Sequence, residues 1–340
     1  MIDSEIPPRT DDAKRRASAN ESDVEAAPGA IFQCIPNFSE GRDPAVIEAI
    51  ADAVRGVRGA LLIDYSADVD HNRCVLTILG SGAATQRAAL AAARVAVGAI
   101  DLRAHSGVHP RIGALDVLPV VPLRGTPLPD AIDVAEEIGL ALSSELDLPV
   151  YFYEGNARPW RAGTLPDLRK GGFEAIRDAE LTGDRAPDLG PNRAHPMAGV
   201  TVVGARGPLV AYNVNLGTAD VEIARTIARR IRAERNRLPE LTGVRALGLF
   251  LASRGRAQVS LNLTRPDQSP LPAVFAFIAH EAARMGVDDL ESEIIGALSA
   301  GFLAGATPES IRWHAYNPNQ ILETWLGTLS PQITQISQMI

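Results

Sequence analysis

The stretch LVAYNVNLGTADVEIARTIARRIRAERNRLPELTGVRALGLFLASRGRAQVSLNL, residues 209–263, decides the fold. Leu209–Leu216 reads as a strand, Thr218–Arg235 as a helix, and Val244–Leu251 and Gln258–Leu263 as two further strands. Downstream, Pro272–Met285 reads as a helix and Glu293–Ile295 as a short strand. The order strand, helix, strand, strand, helix, strand is the split ferredoxin-like pattern.

Moving toward the N-terminus, the same order recurs. Ile31–Ile35 is a short apolar strand. Asp43–Val57 spaces Val46, Ile47, Ile50 and Val54 as a helix does, with Asp43 as its N-cap. Ala60–Tyr65 and Cys74–Leu79 are strands separated by the polar stretch Ser66–Arg73, Thr85–Ile100 is a helix, and Asp116–Leu123 is a strand. Asp130–Leu146 then reads as a helix and Val150–Tyr153 as a strand. Even the openings match, Pro36-Asn37-Phe38 in one half and Val214-Asn215-Leu216 in the other. The expected architecture is α+β: two ferredoxin-like βαββαβ subdomains related by duplication, with a ligand cleft between them. Residues 1–28, polar and without period, are expected as a disordered leader, 29–199 as the N-terminal subdomain and 200–340 as the C-terminal one. The Pro/Gly-rich run from Asp184 to Gly199 is the connection.

Composition narrows the function classes. The chain has 340 residues, and 33 basic against 41 acidic side chains leave a net charge of −8, which excludes a general nucleic-acid binder. With 46% hydrophobic and 22% charged residues it is an ordinary globular chain, and with 5% aromatics its core is aliphatic. The two cysteines, Cys34 and Cys74, cannot form a disulfide framework or a four-cysteine zinc site, so a reducing cytoplasm is expected. Arg94 interrupts the Ala88–Ile100 run, so no segment reads as a membrane span, and the N-terminus lacks an apolar signal region. Only Lys14 and Lys170 are lysines; the remaining basic residues are arginines, whose planar forks suit carboxylates.

The strongest chemical signal is the loop His105-Ser106-Gly107-Val108-His109-Pro110-Arg111-Ile112-Gly113, between a helix and a strand. Gly107, Pro110 and Gly113 oppose helix, and rigidly anchored loops of this kind carry catalytic side chains. Here His109 is a candidate general acid/base and Arg111 a candidate anion holder; the plain alternative is a surface turn. His105 and His109, four apart, would converge on a metal only on a helix, and no metal-binding motif accompanies them. In Asp64-Tyr65-Ser66-Ala67-Asp68-Val69-Asp70-His71-Asn72-Arg73, Asn72 and Arg73 could bind an amide or a carboxylate, or the loop is merely solvated. Cys34–Asp43 is a strand-to-helix turn able to hold an anion or simply to cap. Gly80-Ser81-Gly82 lacks the third glycine of a dinucleotide site, and there is no P-loop lysine.

Taken in order, CIPNFSEG (Cys34–Gly41), DVDHNRCV (Asp68–Val75), HSGVHPRIGALDVLP (His105–Pro119), PVYFYEGNAR (Pro149–Arg158), LPDLRKGGFEAI (Leu165–Ile176), APDLGP (Ala186–Pro191), LVAYNVNL (Leu209–Leu216) and AQVSLNL (Ala257–Leu263) resemble the formiminotransferase family. The resemblance implies transfer of a formimino group from N-formimino-L-glutamate to tetrahydrofolate, in histidine degradation. It places the catalytic histidine of the HPR motif on His109 and the folate-binding stretch on Gly190–Gly199, with Gly190, Pro191, Asn192 and Gly199 as contacts. Asn37, Arg73 and Arg111 join them as binding residues with Asn72, and Asp64 or Asp116 would orient the imidazole. Arg158 or Arg169 would add to the carboxylate contacts. It also implies tetrahydrofolate or its polyglutamates as co-substrate, no tightly bound cofactor, no metal, and a homodimer. With the chain ending at Ile340, a single activity without a cyclodeaminase domain is expected. Departures from the family pattern are Cys74 for a hydroxyl residue, Glu154-Gly155 in inverted order, and residues 192–198. Three other readings stay open at this stage: a formylglutamate–tetrahydrofolate formyltransferase, a metal-dependent amidohydrolase using His105 and His109, and a folate-binding protein without turnover.

Overall fold

The computed structural model describes residues 29–161 and 164–327. The leader expected over residues 1–28 lies outside the described residues. The first half runs β1 (Ile31–Cys34), β2 (Asn37–Phe38), α1 (Pro44–Arg55), β3 (Ala60–Asp68), β4 (Arg73–Gly80), α2 (Gly82–Ala99), β5 (Leu115–Leu123), α3 (Leu128–Leu146), β6 (Val150–Phe152), the single turn α4 (Leu165–Leu168) and β7 (Thr201–Ala205). The second runs β8 (Val210–Leu216), α5 (Val221–Glu234), β9 (Val244–Leu251), β10 (Arg256–Leu263), α6 (Leu271–Ala283) and β11 (Leu290–Ile295).

The first expected strand, Ile31–Ile35, forms as β1, and a further short strand, β2, follows it beyond Pro36. Pro36 has no N–H to give a ladder, so a central strand must break there. β1 and β2 resume on either side of it, both lying between β4 and β5. The first sheet is therefore ordered β3, β4, β1/β2, β5, β7, β6, antiparallel except where β7 runs parallel to β5 and β6. The second is ordered β11, β8, β10, β9 and is antiparallel throughout. In each half the fourth strand of the βαββαβ unit lies beside the first, followed by the third and the second.

β7 has no counterpart in the sequence reading. Its residues follow the expected division at 199/200, yet they pair with β5 and β6, so the first sheet extends through Ala205. A short buried strand of this kind, TVVGA, carries no alternation by which to find it.

Helices cover one face of each sheet. Asp43 accepts from the amides of Ala45 and Val46 to start α1, which buries Ile47, Ile50, Ala51 and Val54. α2 presents Ala88, Ala89, Ala92, Ala93 and Ala96, small enough for close helix packing. In the second half, Val210, Tyr212, Val214 and Leu216 of β8 pack with Ala224, Ile227, Ala228 and Ile231 of α5. The alternate positions Ala211 and Asn213 face the other way and line a cleft shared with Arg73 and Val75 of β4. The two helix-free sheet faces thus enclose the cleft between them. No helix among the described residues is long and apolar enough to cross a membrane.

The run Asp184–Gly199 does more than connect. The amide of Ala114 donates to Ala198 O at 2.8 Å and that of Val200 to Ile112 O at 3.0 Å, binding the run to the segment that carries the HPR motif. Gly199 has φ +70°, and a Cβ there would lie 2.1 Å from Ile112 O. Gly199→Ala is therefore expected to lower the unfolding free energy by at least about 1–3 kcal/mol, checked by urea denaturation against wild type.

Candidate active site

The cleft has a volume of about 360 Å³ and takes lining side chains from both halves. That is the size and setting of a small-molecule site. Asn37, Arg73, His109 and Arg169 come to it from the first half, and Asn213, Arg245, Ser260 and Asn262 from the second.

Behind the lining sits Asp116 of β5, with no exposed surface. Its carboxylate accepts from Arg73 Nη1 at 2.7 Å, from Arg169 Nη2, and from the amide of Ile112 at 2.9 Å. Burial pushes this carboxyl upward, but Arg169, Arg73 and the Ile112 amide together outweigh it and hold it below the ordinary aspartate range. The remaining nitrogens of Arg73 do not idle. Nε and Nη2 donate to Asn37 Oδ1 at 3.2 and 3.0 Å, and Asn37 Nδ2 in turn donates to Ile35 O at 2.7 Å. The break at Pro36 is what frees the carbonyl of Ile35 and aims Asn37 at the guanidinium.

His109 lies partly buried in the cleft, with Nδ1 2.8 Å from Pro110 O. A carbonyl can only accept, so Nδ1 carries the proton and Nε2 keeps its lone pair. Burial drives the imidazole well below its ordinary value of 6.5, and Arg73, Arg169 and His71 push in the same direction; Asp116 opposes them. The result is a neutral imidazole, in its base form at physiological pH. Its ring stacks on that of His71 with centroids 5.8 Å apart and planes inclined by 28°. Neither Asp116 nor Asp64 bonds to the imidazole; the carbonyl of Pro110 orients it instead.

Several other expected site residues are engaged away from the cleft. Arg111 donates through Nε to His105 Nδ1 at 2.8 Å, through Nη2 to His105 O, and through both terminal nitrogens to Glu174, leaving its fork committed within the loop. It does not line the cleft. His105 uses both ring nitrogens, on Arg111 Nε and on Asn72 O. Asn72, at φ +48°, accepts from the amide of Gly41 and donates to Ser106 O, so it braces the turn rather than a ligand. Asp64 sits on β3 outside the lining, its carboxyl pushed up by burial. Gly190, Pro191, Asn192 and Gly199 also fall outside the lining: Gly199 faces Ile112 O, Gly190 faces Leu148 O, and Asn192 O accepts from the amide of Leu181.

In their place the cleft presents residues that motif reading passed over. Arg206, Arg245 and Arg254 line it together with the carboxylates of Asp68, Glu154 and Glu293. The side chain of Arg245 makes no hydrogen bond or ion pair among the described residues, so its guanidinium is available to a carboxylate. For Asn213, Ser260 and Asn262 the available signal was the strand period: in LVAYNVNL and AQVSLNL the polar residues fall on alternate positions, which share a face.

A cleft between two α+β halves, with a base-form imidazole beside arginines and carboxylates, has the makeup of a site for a small molecule. The comparisons name its kind. The family model described as formiminotransferase domain, N-terminal subdomain, matches residues 31–206, and that described as formiminotransferase domain matches residues 211–308. The chain belongs to the formiminotransferase-domain family, whose members act on small molecules. It is 38% identical to a glutamate formimidoyltransferase of Streptococcus pyogenes serotype M1 over 297 residues, covering 87% of this chain and 98% of that one. It is 37% identical to the enzyme of the same name from Thermoplasma acidophilum, covering 86% and 96%. Against the formimidoyltransferase-cyclodeaminase of Rattus norvegicus it is 36% identical over 78% of this chain and half of that protein.

Removing the buried carboxylate tests the site's framework. Asp116→Asn leaves two buried guanidinia without their anion, and a loss of about 3–5 kcal/mol in unfolding free energy is expected. Because the folded-state pKa of Asp116 is depressed, its contribution is complete above the ordinary value of about 3.9 and is lost as pH falls below it. Denaturation series across the acid range are therefore expected to be flatter for Asp116→Asn than for wild type.

Proposed function

We propose that this chain moves the formimino group of N-formimino-L-glutamate to tetrahydrofolate, with His109 as the acid/base. The observation that carries the reading is the imidazole of His109, neutral with its Nε2 lone pair unshared, in a cleft of a formiminotransferase-family chain. The chemistry is an exchange of amines at one carbon. The folate nitrogen adds to the formimino carbon and loses its proton, and the glutamate nitrogen gains a proton and leaves. Nε2 of His109 takes the first proton and returns it to the departing amine. A depressed pKa suits both halves of the shuttle: the base form is populated at neutral pH, and the imidazolium, once formed, gives its proton up readily.

The surrounding charges match the reactants. The formimino group is a cationic amidine, suited to Glu154, while Asp68 and Glu293 are paired with Arg254. The glutamyl carboxylates of donor and folate suit Arg206 and Arg245. Arg73 and Arg169 are already shared with Asp116, so their part is to set the field around His109. Tetrahydrofolate acts as a co-substrate, and the reaction as written needs no tightly bound cofactor.

The shared strand order supports two ferredoxin-like subdomains related by duplication. The reading carries with it a cytoplasmic enzyme working as a homodimer, which light scattering of the purified protein checks directly.

The deciding experiment is a transfer assay with formiminoglutamate and tetrahydrofolate, following acid conversion of the product to methenyltetrahydrofolate by absorbance, with formylglutamate as the parallel donor. Turnover with the formimino donor is expected, and His109→Ala is expected to lose about a hundredfold or more in kcat. Turnover with formylglutamate alone overturns the choice of donor, and an active His109→Ala overturns the mechanism. The acid limb of kcat/KM is expected below pH 6.5, because the pKa of His109 is lowered from that value.

A further inference from the structure

His109 has a hydrogen-bond partner at Nδ1 only, the carbonyl of the next residue, which leaves its ring to be steadied by whatever lies against its face. That neighbour is the ring of His71, with centroids 5.8 Å apart. His71 is itself pinned from across the cleft. Its Nε2 lies 3.0 Å from Gln258 Oε1, on β10 of the second sheet.

The direction of this bond is settled by what surrounds Gln258, which is fully buried. Its Nε2 donates to Asn215 Oδ1 at 2.9 Å and to Glu293 Oε1 at 3.1 Å. Flipping the amide would set its oxygen against those two acceptors, so Oε1 must face His71 and Nε2 of His71 must carry the proton. Other contacts hold the same turn. The amide of His71 donates to Asp68 Oδ1 at 2.7 Å, and Asp70 accepts from the amide and hydroxyl of Ser253 in the second half. The catalytic loop lies directly on this turn: Val108 N donates to Asp70 O at 3.0 Å, and a Cβ on Gly107 would fall 2.3 Å from His71 O.

We propose that His71 is a positioning residue for His109, held in register from the opposite sheet by Gln258. The second half of the molecule then contributes to the base's placement as well as lining the cleft. The proposal rests on His109 being the acid/base. It predicts that Gln258 acts through His71 and not on the substrates. The charged groups that surround His109, namely Arg73 on β4, Asp116 on β5 and Arg169 after α4, stay unchanged in the variants that test it.

The test is steady-state kinetics on His71→Ala, Gln258→Leu and the double variant, beside His109→Ala, each with its melting temperature. His71→Ala and Gln258→Leu are expected to lower kcat by about tenfold or more while the KM of each substrate stays within about twofold. The double variant should fall no further than His71→Ala, because the two changes interrupt one chain of contacts. If His71→Ala does not fold, His71→Phe replaces it: the ring wall remains, the bond to Gln258 is lost, and the same non-additivity is read. Losses that multiply in the double variant, a raised KM with kcat intact, or unimpaired single variants beside an inactive His109→Ala each overturn the positioning role alone. An active His109→Ala overturns the base assignment and this proposal with it.

Discussion

Asp116 is a carboxylate sealed from water, and the cleft is assembled around the need to satisfy it. It draws Arg73 from β4, Arg169 from the turn after α4, and the Ile112 amide from the HPR loop to a single point. Buried ion clusters of this sort seldom add stability over well-packed apolar side chains, because desolvation consumes most of the attraction. What apolar side chains could not do is fix the angle of two guanidinia and an amide at once. Two arginines against one carboxylate also leave surplus positive charge beside His109. That surplus, with burial, keeps the imidazole neutral and ready to accept a proton.

The β3–β4 turn is the second constraint, and it is steric as well as polar. Gly107 passes so close to His71 O that no side chain fits between them, and Asn72, in a left-handed conformation, bonds to both Gly41 and Ser106. Three segments separated in sequence, CIPNFSEG, DVDHNR and HSGVHPR, are thereby packed into one unit. Their polar residues divide the labour. Asn72, His105 and Arg111 hold the loops to each other, while Arg73, His71 and His109 face the cleft.

That division was hidden from sequence for a physical reason. The βαββαβ order could be read because helices and strands advertise themselves locally, through apolar spacing and the Asp43 cap. His109 stood out because glycine and proline on both sides force a rigid loop. Arg111, two residues on, looked equally fit for a ligand, yet its fork turns to His105 and Glu174. An arginine's residue type says that it needs an anion or an acceptor, and only packing decides whether that partner belongs to the chain or to the substrate. At Gly190 and Gly199 likewise, the close approach that demands glycine is to Leu148 and Ile112 within the protein. Arg245 went unnoticed for the opposite reason: it lies in an ordinary strand, and nothing nearby marks its face.

The strand period explains why the site needs both halves. Each sheet buries one face under helices and leaves the other with amide, hydroxyl and charged side chains: Asn213, Ser260, Asn262 and Arg245 on one, Asn37 and Arg73 on the other. Alone, either face would be an ordinary solvated surface, its polar groups satisfied by water. Set opposite each other across a narrow cleft they lose part of that water and become directional, since a polar group with fewer solvent partners binds a ligand's group more strongly. The alternation that makes a strand amphipathic thus also supplies the cleft's chemistry. A residue such as Asn213 acquires a role only when Tyr212 and Val214, its neighbours in sequence, turn the other way into the core.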